Sequence, residues 1–329
     1  MSGIVQRLGF SLIPLIAIGG AAELGLRQAG WPKATETFEH NTPYWVTDSD
    51  LEQKTFPHRE EKRIFRVSSN ADGLRTPGSV QKKEEGVLRI MTLGCSTTFG
   101  WGVDDKESYP SQLQAMIDSA GAAKVEVINA GQPGYTSFQG RWLWGETLRS
   151  YAPDVVLIGY VVQDARKAAY SDKSQAILQN DNRFMKDHVL YKSRVYLALR
   201  SLLGSVQIEA KERPQNGKGG IYRVPPEDFV ENLRALVGEV QALGALPILF
   251  GFPLEREGYT ETHRKILKAA SQELDVPHLD LQDRMEQASR NAQLYFENDR
   301  GHANAAGNQQ IATWVFDFLV EQSLVKGTK

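Results

Sequence analysis

Hydrophobic and polar positions follow two different periods along most of this chain, and the two take turns. VLRIMTL (87–93), VEVINA (125–130), DVVLIGYVV (154–162), LPILFGF (246–252) and VPHLDL (276–281) are short apolar runs that predict strands. The third is almost unbroken, which marks a strand covered on both faces. Helical periodicity fills the gaps. Ser108 to Ala120 places Leu113, Met116 and Ile117 on one face, and Ser137 to Tyr151 is a helix with Ser137 as its candidate cap. Pro226 to Leu243 repeats Phe229, Leu233, Leu236, Val237 and Val240 at helical spacing. Glu261 to Leu274 and Ala305 to Leu324 are the remaining helices. Strands alternating with helices predict a parallel, doubly wound α/β sheet of five strands. Such sheets bind ligands at the carboxyl ends of their strands.

Two stretches break the alternation. Residues 165–225 hold one helical piece, Tyr191 to Leu203, and a polar tract, KERPQNGKGG (211–220), expected as a surface loop. Because this insertion follows the third strand, it is expected to overhang the site as a lid or substrate wall. Residues 32–86 lack periodicity and contain Pro32, Pro43, Pro57 and Pro77. Within them FRVSSNADGLRTPG (65–78) reads as a short strand, a turn at Asn70–Gly73 and a turn at Thr76–Gly78. The stretch is expected to be a linker plus a lead-in packed on the main domain, residues 87–325.

The N-terminus carries a different signal. Leu8 to Ala22 is free of charge, and counting through Leu26 gives a run of 19 residues interrupted only by Glu23. Residues 1–31 are read as a single-pass anchor, with Arg7 on the cytoplasmic side and Trp31 at headgroup level. A cleaved signal peptide ending in small residues and a buried helix remain open. Either of the first two exports the body to the periplasm or cell exterior.

Charge and composition narrow the field. Lys plus Arg is 38 against 40 Asp plus Glu, a net charge of −2, so the basic excess of a nucleic-acid binder is absent and no nucleic-acid partner is expected. Hydrophobic residues at 41% exclude wholesale disorder. Cys95 is the single cysteine, which excludes an intrachain disulfide and a cysteine metal cluster. His40, His58, His188, His263 and His278 show no ligand spacing, so neither metal nor cofactor is expected.

The candidate chemistry lies at two places. Leu93-Gly94-Cys95-Ser96-Thr97-Thr98-Phe99-Gly100 follows the first strand directly, so Ser96 sits on a Gly-flanked turn at the carboxyl edge. A serine hydroxyl attacks poorly unless a base takes its proton, and the base needs a carboxylate to orient it. Asp299 and His302 stand three apart on one loop before the last helix, close enough for the carboxylate to reach the ring. The bland alternatives are a serine capping the next helix and a cap for the last one.

Four blocks together resemble the SGNH hydrolases, also called GDSL esterases or lipases, over roughly residues 66–325: FRVSSNADGLR (65–75), LGCSTTFGWGV (93–103), INAGQPGYTS (128–137) and DRGHANAAG (299–307). The first of them is similar to the lead-in of a membrane-anchored bacterial branch. The resemblance implies a flavodoxin-like three-layer α/β/α fold with a five-stranded parallel sheet, preceded by the hydrophobic N-terminal helix. It implies Ser96 as nucleophile, with Asp299 and His302 completing a triad. It also implies an oxyanion hole made by the backbone N–H groups of Ser96 and Gly131 with the Gln163 amide. The family's third block carries an asparagine that donates to the oxyanion; here the aligned residues are Val161-Val162-Gln163-Asp164. Gln163 keeps an amide but one methylene further out, and is expected to fold back at a cost in precision. Cys95 replaces the Asp of the family's first block and is expected to be packed, not reactive. The implied activity is ester hydrolysis, or acyl transfer, on an acylated glycan or lipid at the cell envelope. A non-catalytic module that binds a glycan or a partner protein is the rival. Trp142 and Trp144 are expected as packing ahead of a sugar platform. Tyr191, Arg194 and Tyr196 belong to the core of a lid ahead of a substrate pocket.

Overall fold

The structure is a computed structural model that describes residues 14, 17–31, 53–57, 64–79, 81–121, 124–168, 170–176, 193–199, 202, 220–256, 258–297 and 299–327. The sheet strands are β1 (Leu88–Gly94), β2 (Val125–Asn129), β3 (Val155–Gly159), β4 (Leu246–Gly251) and β5 (His278–Asp280). They lie in the order β2-β1-β3-β4-β5, and every neighbouring pair is parallel. This is the flavodoxin-like order, with its switch point between β1 and β3. All five expected strands are present.

Side chains of a strand alternate between faces, and here both faces are apolar. Val155 and Leu157 of β3 join Ile90 in one core, shared with α1 (Tyr109–Ser119) and α6 (Ala305–Glu321) through Leu113, Ile117, Ile311, Val315 and Leu319. Val156 and Ile158 join Met91 and Leu93 in the other. That second core takes in Leu143 and Trp144 of α2 (Ser137–Glu146) and Phe229 and Leu236 of α3 (Pro226–Ala242). Leu267 of α4 (Glu261–Leu274) completes it. Two covered faces explain why DVVLIGYVV has no polar alternation.

Several boundaries move. α2 ends at Glu146 and continues as a 3-10 turn over Leu148–Tyr151, and its N-cap is Thr136, not Ser137. The Gln139 side chain accepts the Thr136 N–H at 3.0 Å, while Ser137 is the first helical residue. A short helix, α5 (Gln282–Ala288), was not expected; at seven residues it buries only Gln282 and Met285, too little to show a period.

The chain divides into two units, residues 43–172 with 222–329, and residues 1–42 with 173–221. The larger includes the lead-in, where Ile64–Ser68 pairs antiparallel with Gln53–Pro57 and Phe65 and Val67 pack with Phe99. The Asn70 Oδ1 accepts the N–H groups of Asp72 and Leu74 at 3.1 and 2.9 Å, forming the expected turn. In the smaller unit, residues 17–28 and 194–199 are helical. Glu23 Oε2 accepts from Ser193 Oγ and the Val195 N–H, both at 3.0 Å. No helix among the described residues is long and apolar enough to cross a membrane. Most of the apolar run 8–22, the whole of 32–50, Tyr191, His40, His58, His188 and the tract 211–219 lie outside the described residues.

Candidate active site

Ser96 is placed by the abrupt end of β1. Gly94 closes the strand, Cys95 is extended, and Ser96–Phe99 forms one helical turn. Gly100 stops that turn at φ 82, where its N–H returns to the Ser96 carbonyl at 3.1 Å. A side chain in that left-handed conformation costs roughly 1–2 kcal/mol, which favours glycine. As the first residue of the turn, Ser96 has no intrahelical acceptor for its backbone N–H. Its side chain is nearly enclosed, at 6% exposure.

From the other end of the chain, the hairpin Tyr295–Phe296/Asp299–Ala303 delivers His302 to the same spot. His302 Nε2 lies 2.8 Å from Ser96 Oγ, and His302 Nδ1 lies 2.6 Å from Asp299 Oδ2. A carboxylate only accepts, so Nδ1 carries the proton and Nε2 is left as the acceptor for the serine hydroxyl. The second Asp299 oxygen, Oδ1, takes the N–H groups of Gly301 and His302 at 3.0 and 3.2 Å and pins the start of the strand that carries the ring.

The oxyanion side is less regular. Gly131 lies against the Ser96–Phe99 turn so closely that a Cβ would sit 2.4 Å from the Phe99 backbone nitrogen, which requires glycine. Its N–H, however, donates to Asn129 Oδ1 at 3.0 Å. Gln163 follows β3, the strand next to β1, and its Oε1 accepts from Arg223 Nη1 at 3.1 Å. The amide oxygen is thereby turned to an arginine. Val161 is buried in the core beside it.

Arg75, Asn129, Asp172 and Arg223 support the site and were not singled out from the sequence. Arg75, 2% exposed, donates to the carbonyls of Phe99, Gly100 and Val103 at 2.8, 2.6 and 2.7 Å, and to Asp105 Oδ1 at 3.0 Å. One buried guanidinium therefore holds the segment that follows the serine. Asn129 Nδ2 adds a bond to the Phe99 carbonyl at 3.2 Å. The quoted block FRVSSNADGLR contained Arg75, but a lone arginine in a lead-in has no spacing that betrays its target.

Asp164 is fully buried and accepts the Ser137 N–H at 2.9 Å, tying the third block to the start of α2. Burial pushes its carboxyl up to about 7. Burial likewise raises the Cys95 thiol, whose Sγ packs 3.2 Å from Thr97 Oγ1, so the neighbour of Ser96 is a neutral, enclosed thiol. Trp144 is buried in the core and Trp142 is 43% exposed. His263 Nε2 donates to the Val224 carbonyl at 2.8 Å, because a carbonyl oxygen only accepts. Among the described residues, no group of three or more His, Cys, Asp or Glu side chains could hold a metal ion.

Residues 92–310 match the model of the GDSL-like lipase/acylhydrolase family. Among solved structures, the chain is similar to a lipase/acylhydrolase from Enterococcus faecalis, with 16% identity, 74% of this chain and 100% of that chain covered, and a TM-score of 0.50. An alpha/beta hydrolase from the metagenome of Lake Arreo, Spain, is 16% identical over 76% of this chain and 100% of its own, with a TM-score of 0.48. A variant of an acetyl-xylooligosaccharide esterase from Geobacillus is 18% identical over 74% of this chain and 97% of its own, with a TM-score of 0.47. At 16% identity, the likeness to the Enterococcus faecalis protein is one of fold. A comparison with curated protein sequences returns no match. Matched over well more than half its length, from the first parallel strand through the Asp299–His302 loop into the last helix, the chain belongs to the GDSL-like lipase/acylhydrolase family.

Proposed function

We propose that this chain is a serine esterase in which Ser96 attacks the ester carbonyl. The unbroken chain of contacts Ser96 Oγ to His302 Nε2 at 2.8 Å and His302 Nδ1 to Asp299 Oδ2 at 2.6 Å carries this reading. As Ser96 Oγ bonds to the carbonyl carbon, its proton passes to His302 Nε2, and Asp299 stabilises the imidazolium. The carbonyl oxygen becomes an oxyanion. The reading gives it the Ser96 N–H and the Gln163 amide, with the Gly131 N–H joining on release from Asn129. His302 then protonates the leaving alcohol, and the acyl group stays on Ser96. Water, deprotonated by the same histidine, attacks the acyl-enzyme and frees the acid and the serine. If a sugar or lipid hydroxyl replaces that water, the same residues transfer the acyl group.

An acylated glycan or lipid of the cell envelope is the proposed substrate, and attachment through the apolar segment near the N-terminus is the proposed location. The apolar run 8–22 supports the latter. A pure binding module has no use for a histidine held between a carboxylate and a serine, and the closed hydrogen-bond chain weighs against it. Hydrolysis of p-nitrophenyl acetate by the full chain in detergent tests the reading. Activity that Ser96→Ala removes supports it, and activity that persists in that variant overturns it.

A further inference from the structure

We propose that Arg223 is a positioning residue for the Gln163 amide, a role that rests on the serine-esterase reading and deepens it. Arginine donates through five N–H groups and accepts nothing. The Gln163 atom 3.1 Å from Arg223 Nη1 is therefore the oxygen, Oε1, and the chemistry of the pair settles which way the amide faces. The NH2 end is left as the donor, at the carboxyl end of β3. β1 ends at Gly94 opposite Gly159, so Ser96 and Gln163 both follow the carboxyl ends of neighbouring strands.

The arginine is itself immobilised. Its Nε and Nη2 grip the two oxygens of Asp172 at 2.9 and 2.8 Å, a planar fork that lysine cannot reproduce. Nη1 also reaches the Gly134 carbonyl at 2.8 Å, and Nη2 the Gln139 Oε1 at 3.2 Å. Asp172 is 7% exposed and takes a further bond from Thr136 Oγ1 at 2.7 Å. The backbone closes the clamp, with the Asp172 N–H on the Arg223 carbonyl at 2.7 Å. A cation on the amide oxygen also polarises the NH2 group and strengthens it as a donor. Gln163 thus uses its extra methylene to reach an anchor. Asparagine at the same place falls short of Arg223.

A double-mutant cycle on the full chain tests this, with p-nitrophenyl acetate turnover and thermal unfolding measured for wild type, Arg223→Lys, Gln163→Ala, the double variant and Gln163→Asn. A misplaced donor costs on the order of 10²-fold. The clamp predicts that Arg223→Lys and Gln163→Ala each lower kcat by about 10- to 100-fold with KM within about twofold, as expected for a lost oxyanion donor. It predicts that the double variant is no slower than Gln163→Ala, and that Gln163→Asn is also slow. Multiplying effects in the double variant, a faster Gln163→Asn, or an Arg223→Lys that lowers the unfolding temperature while keeping kcat each overturn it. A wild type that neither turns over ester nor reacts with a fluorophosphonate overturns the esterase reading instead. The crystal structure of Arg223→Lys then decides on the clamp: a displaced Gln163 amide supports it, and an unmoved one overturns it.

Discussion

Asp299 and Asn304 divide the work at the entrance to the last helix: Asn304 Oδ1 accepts the Gly307 N–H at 3.0 Å, while Asp299 Oδ2 lies 2.6 Å from His302 Nδ1. The helix has its own cap, so the aspartate five residues earlier is released for the histidine. Asp299→Asn is expected to keep the fold and lower kcat on the order of 10⁴-fold, because an amide no longer selects the Nδ1–H tautomer. Asn304→Ala is expected to cost about 1 kcal/mol of stability and leave kcat within a few-fold. Urea unfolding and steady-state turnover of the two variants read both; a reversed pattern assigns the cap to Asp299.

Arg75 fixes the segment after Ser96 from a nearly enclosed position, with Asp105 as its ion-pair partner at 3.0 Å. Arg75→Met removes the guanidinium from four carbonyls, those of Arg66, Phe99, Gly100 and Val103, and from the Asp105 carboxylate. Removing one member of a buried pair typically costs about 3–5 kcal/mol. A loss of that size in urea unfolding, together with slowed fluorophosphonate labelling, is the expected result. A variant as stable and as fast to label as wild type contradicts the assigned role.

Asp164 sets a pH slope. Its carboxyl goes from the ordinary 3.8 to about 7, raised chiefly by burial. The folded state then holds a proton that the unfolded state has given up. Stability from this group is fully present below about pH 4 and is lost as the pH climbs from there through about 7. At one pKa unit per about 1.4 kcal/mol, the effect is on the order of a few kcal/mol. Asp164→Asn keeps an acceptor for the Ser137 N–H and removes the slope. Denaturant midpoints from pH 4 to pH 8 are expected to fall for wild type relative to the variant; parallel curves contradict the assignment.

The proposed location has its own test. An anchor through the apolar segment predicts that the full chain pellets with membranes and resists extraction by carbonate. Release into the supernatant contradicts it, and a mature N-terminus near Glu23 establishes cleavage.

The fold was readable because its central strand, β3, is apolar on both faces and the strands alternate with periodic helices. Leu157 and Ile158 of β3 serve opposite cores, and a run without polar positions encodes that directly. The meeting of Asp299 and His302 was readable because they sit in one short block whose local spacing survives folding, and Ser96 because it directly follows a strand of the same sheet edge. Arg75, Asp172 and Arg223 were not. Each acts on a partner set by tertiary contact: Arg223 meets Gln163 across 60 residues of sequence, and Arg75 meets Gly100 across 25. Gln163 is a parallel case: its longer arm is written in the sequence, but the arginine at its end is set by tertiary contact.

The central claim is that His302 activates Ser96. Incubation of the full chain with a fluorophosphonate, followed by tryptic mass spectrometry, tests it most directly, because such probes phosphonylate an activated serine. One adduct on Ser96, absent after heat denaturation and lost in His302→Ala while that variant stays folded, is the result predicted. A folded wild type that carries no adduct on Ser96, or one that labels equally well without His302, contradicts it.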